Sequence, residues 1–114
     1  MKTRLEWLSE IEDPLENRFL AARNLYREAC LHNPGTAPIR LGIMLKVDEK
    51  LQTVRRLISE VAQDRIKIAP LSPEHETRAA HLLDDLDSVM QDNAKADKAK
   101  SILSDFGKLV TEGL

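Results

Sequence analysis

A single cysteine, Cys30, excludes an intramolecular disulfide and any zinc cluster built from several thiolates. It falls on an apolar helical stretch, where a small core side chain is expected in preference to a reactive thiol. Aromatic residues are almost as scarce: Trp7, Phe19, Tyr26 and Phe106 are the four in the chain. Any core must therefore be assembled from Leu, Ile, Val and Ala. Four glycines and five prolines in 114 residues leave few places to turn, which favours a few long helices over many short strands. No long apolar run occurs. The opening MKTRLEWLSEIED is punctuated by charge, so neither a signal peptide nor a membrane span is expected, and the cytoplasm is the expected compartment.

What is present fits one folded domain. Hydrophobic residues make up 42% and charged residues 32%, too apolar for a disordered chain and too charged for a membrane-embedded one. The length suffices for a core without metal or disulfide staples. The net charge of −2 is unevenly spread: residues 1–70 carry 12 basic and 10 acidic side chains, residues 71–114 carry 5 and 9. Neither imbalance is large enough to imply a nucleic-acid partner.

Helix starts are legible. Asp13-Pro14 followed by Glu16 has the pattern of an N-cap, a first-turn proline and a capping-box acid. Ser72-Pro73-Glu74 repeats the cap and proline, with its acid at the positive end of the helix dipole. Thr3 with Glu6 can cap an earlier helix, and Thr36 with Pro38 can open another. HNPGTAP, residues 32–38, is a turn.

Between these marks the apolar residues form seams. Leu8, Ile11, Leu15, Phe19, Ala22, Tyr26 and Ala29 share one face, predicting a helix over 4–32 that is kinked or broken at Asp13-Pro14. PIRLGIMLKVDEK, residues 38–50, supports two periods. Ile39, Leu41, Ile43, Leu45 and Val47 alternate like a strand. Met44, Val47, Leu51, Val54, Ile58 and Val61 follow the spacing of helices packed at a shallow angle. A strand would need a partner, and the only other alternating stretch is RIKIAP at 65–70; a helix over 38–67 needs none. Gly42 inside it costs about 1 kcal/mol. Leu82, Leu83, Leu86, Val89 and Met90 predict a third helix, about 73–91. A phase slip near Asp92-Asn93 separates it from a fourth, about 95–111, carrying Ile102, Leu103, Phe106, Leu109 and Val110.

The string AARNLYREACLHNP, through Ala22, Tyr26, Ala29 and Pro34, resembles the second helix of a tetratricopeptide repeat, with its small-aromatic-small face and following proline. The resemblance covers residues 22–34 and implies a helical-hairpin scaffold. Gly42 and the length of helix 38–67 depart from the family's pattern, and no binding residue is carried over.

Catalytic patterns are thin. His32 closes the first helix, where it can cap carbonyls; His75 lies in the first turn of the third and is expected to be solvated. His81 and Asp85 are one turn apart, a surface pair. A bundle metal site would place a Glu three residues before a His, and Arg78 stands there. No phosphate loop, nucleophile elbow or paired-cysteine motif occurs.

The expectation is thus an all-α single-domain bundle. Helices 4–32 and 38–67 form a long antiparallel hairpin, and the two shorter helices pack on it. Non-catalytic protein binding is the expected function, with no metal or cofactor, the partner being another protein or a second copy. Ile39, Leu41, Ile43, Met44 and Leu45 surround the start of the second helix and need cover from their own chain or from another. Asp84, Asp85 and Asp87 offer an acidic strip to a basic partner. Arg55, Arg56, Arg65 and Lys67 form a basic group that would serve the alternative, a helical subunit of a nucleic-acid–protein complex.

Overall fold

The computed structural model describes residues 3–63 and 72–112. Among them are four α-helices and no strand: α1 (Arg4–His32), α2 (Ala37–Ala62), α3 (Pro73–Val89) and α4 (Ala96–Thr111). Short 3-10 turns at Pro34–Thr36 and Asn93–Lys95 join α1 to α2 and α3 to α4. The ambiguous stretch at 39–47 is helix throughout. The expected continuation of α2 to residue 67 falls, beyond Gln63, outside the described residues, as does RIKIAP.

Helix α1 begins as its sequence suggests: Thr3 Oγ1 accepts from the Glu6 backbone N–H at 3.1 Å, and its hydroxyl donates to the Glu6 carboxylate. It then runs 29 residues without interruption, so Asp13 is no N-cap and Pro14 sits inside the helix. A proline there removes one intrahelical donor. The apolar seam keeps its phase across the gap, burying Leu8, Ile11, Leu15 and Ala22, and tertiary packing outweighs the local break signal. Arg18 also donates to the Pro14 carbonyl at 2.9 Å. Cys30 is exposed rather than buried, because the face that packs at this level is that of Ala29.

The buried line of α2 is Ile43, Val47, Leu51, Val54 and Leu57. Met44, Ile58 and Val61 are only half-buried against it. The expected seam is therefore right at its centre and displaced at its ends. A straight helix drifts from a seven-residue repeat, and α2 packs against both α1 and α4 rather than along one seam. In α3 the buried residues are Ala79, Leu83, Leu86 and Val89, followed by Met90 at its C-cap, with Leu82 at the margin. All five expected inward residues of α4 are buried, joined by Ala99 and Gly107.

Polar contacts fix the helix directions. Arg55, late in α2, reaches Glu12 and Glu16, early in α1, at 3.3 Å each, so these two helices are antiparallel. His75 in the first turn of α3 lies 3.2 Å from Glu112 beyond α4, so that pair is antiparallel too. Gly42 and Gly107 lie under the side chains of Lys100 and Lys50, which sets α2 and α4 parallel. One apolar cluster draws on all four helices. Helix α1, ~44 Å long by its helical rise, nearly matches the 46 Å long axis of the molecule. The shorter α3 and α4 cover only part of the hairpin.

Candidate interaction surface

The five apolar residues at the start of α2 have divergent fates. Ile43 is 1% exposed and belongs to the core; Met44 and Leu41 are half-buried. Ile39 is 36% and Leu45 54% exposed. Ile43 and Leu45, two positions apart, point to nearly opposite sides of the helix. Part of this stretch therefore closes the bundle, and Ile39 and Leu45 remain outside it.

Two further residues, Leu20 at 37% and Leu31 at 77% exposure, join them on α1. Eleven residues span about three helical turns, so both stand on one outer side of α1. Sequence reasoning passed over them because it followed only the inward seam. Their signal was there: leucines out of phase with that seam. All the exposed large hydrophobic residues of the described chain lie on the α1–α2 hairpin. Toward its turn the core thins, since α1 beyond Phe19 fully buries only Ala22 and Ala29.

The charged groups are less free than the sequence suggests. Asp84, Asp85 and Asp87 are all exposed on α3, but Asp87 is held by Arg18 at 2.7 Å. Arg55 is a strut between α1 and α2, and Arg56 pairs with Glu60 at 3.0 Å on its own helix. Arg65 and Lys67 lie outside the described residues. The two described members of the basic group thus face carboxylates of their own chain.

Two polar clasps escaped the sequence reading. At one pole, the buried Arg40 guanidinium donates to the backbone carbonyls of Met90 and Gln91, at the end of α3. At the other, His75 is half-buried rather than fully solvated: its Nδ1 lies 3.2 Å from Ser72 Oγ and its Nε2 3.2 Å from the Glu112 carboxylate. Arg4 is buried nearby with its guanidinium 5.7 Å from the centre of the Trp7 ring. Burial pushes the Arg4 guanidinium below its ordinary value, and the charge of Glu112 opposes that shift.

Neither clasp assembles a reactive constellation. The clefts beside α3 share Arg78, one lined by Glu74, Thr77 and His81 and another by Asp105, Lys108 and Glu112. Their charges are mixed and their walls open. Among the described residues no group of three His, Cys, Asp or Glu is placed to hold a metal ion. Tyr26 is held above its ordinary value, first by its hydrogen bond with Cys30 and then by the negative charge that a Cys30 thiolate would place beside a phenolate. Among the described residues no helix is long and apolar enough to cross a membrane. Comparison with protein-family models, with curated proteins and with solved structures found no match.

Proposed function

We propose that this chain is a non-catalytic protein-binding module, of the adaptor, chaperone-like or inhibitor kind, acting in the cytoplasm through the outer side of its helical hairpin. The observation that supports it is the placement of Leu20, Leu31, Ile39 and Leu45. Isolated exposed leucines are ordinary on a protein surface. Their restriction to one hairpin, while α3 and α4 turn their large apolar residues inward, is the distinguishing feature. The acidic face of α3, with Asp84 and Asp85 free of the Arg18 contact made by Asp87, would favour a basic partner by long-range attraction. The partner is another protein or a second copy of the chain.

The test is a pair of glutamate substitutions at exposed positions, Leu31→Glu and Leu45→Glu, beside Ile43→Glu in the core. Melting temperature and solution mass are measured for each, and capture from the native host is quantified by mass spectrometry. Both exposed variants should stay folded and lose self-association or lose proteins that the wild type retains. Burial of one apolar side chain at an interface contributes roughly 1.5–3 kcal/mol, more than tenfold in affinity. Ile43→Glu should unfold. Unchanged mass and unchanged capture for both exposed variants would defeat the proposal.

A further inference from the structure

We draw no further inference here: the strongest candidate, the exposed apolar side chains on the outer faces of the α1–α2 hairpin, carries nothing beyond the function proposed above, because nothing in the structure shows what covers them.

Discussion

Removing the Arg40 guanidinium should destabilise the bundle measurably, because it is buried and donates to two backbone carbonyls at the end of α3. Arg40 lies in the first turn of α2, where the helix dipole disfavours a cation. Its place is set instead by α3, whose last carbonyls have no partner within their own helix. Met90 N–H donates to the Leu86 carbonyl and Asp92 N–H to that of Val89, which leaves the carbonyls of Met90 and Gln91 to Arg40. The charge also faces the negative end of the α3 dipole, where it is favourable.

Arg40→Met keeps most of the apolar stem and deletes the donors. Each hydrogen bond from a charged donor contributes about 1.5–3 kcal/mol. Release of the guanidinium from its buried site offsets part of that, leaving a net loss of about 2–4 kcal/mol. Arg40→Lys supplies a single ammonium that cannot fork onto neighbouring carbonyls, and should fall between the two. Urea unfolding followed by circular dichroism reads both, as a lower midpoint at unchanged slope. A loss under about 0.5 kcal/mol for Arg40→Met would refute the reasoning, showing that water replaces the guanidinium at no cost.

Other substitutions test the packing and the charges. Leu57→Ala should cost about 2–5 kcal/mol through lost burial and the cavity left behind, and half-buried Ile58→Ala clearly less; the reverse order in urea unfolding would mean α2 is rotated. Gly42→Ala should raise stability by about 0.5–1 kcal/mol, read as a higher melting temperature. Its new Cβ meets only the mobile end of Lys100, at 3.2 Å. Glu49 is held below the ordinary glutamate range, first by its hydrogen bond from Lys50 and then by the charges of Lys50 and Lys46. Its small stabilising effect is present above the unfolded-state value and is lost as pH falls through the folded one. An NMR titration should find Glu49 titrating low and returning toward the ordinary range in Lys50→Met; an unmoved titration would contradict the pairing.

How far these features could be read from sequence depended on the range of the interaction responsible. The seam of α4, that of α3 apart from Leu82, the turn at Asn33–Gly35 and the break near Asp92-Asn93 follow from local periodicity and capping, and appear in the structure. At the break Asp92 accepts from the Ala94 backbone N–H at 2.9 Å. The helix over 4–32 is not broken at Pro14, because a break signal is local, whereas the helix through it is held by packing across the bundle. Ile58, expected on the seam, is half-buried while its neighbour Leu57 is buried, because one seam cannot say which side of α2 a second neighbour will cover. Arg40 and His75 were invisible as clasps, since their partners lie 50 and 37 positions away. The exposed surface was half-read: Ile39 and Leu45 by their excess over the seam, whereas Leu20 and Leu31, out of phase with the inward seam, were passed over.

That division bears on how a binding defect would be interpreted. The apolar cluster reaches no further toward the turn than Leu25 on α1, and it begins at Ile43 on α2. Leu31 lies past that limit, and Leu45 lies on the side of α2 away from it, so the fold does not depend on either being apolar. Leucine and glutamate also have similar helix propensity, so a glutamate at these positions should leave α1 and α2 intact. At Ile43 the same change would bury a carboxylate in the apolar core, at a large desolvation cost. Residues two positions apart on α2 thus separate the two demands on one apolar stretch. A loss of association confined to Leu45→Glu and Leu31→Glu would belong to the surface, and a loss accompanied by unfolding would belong to the core.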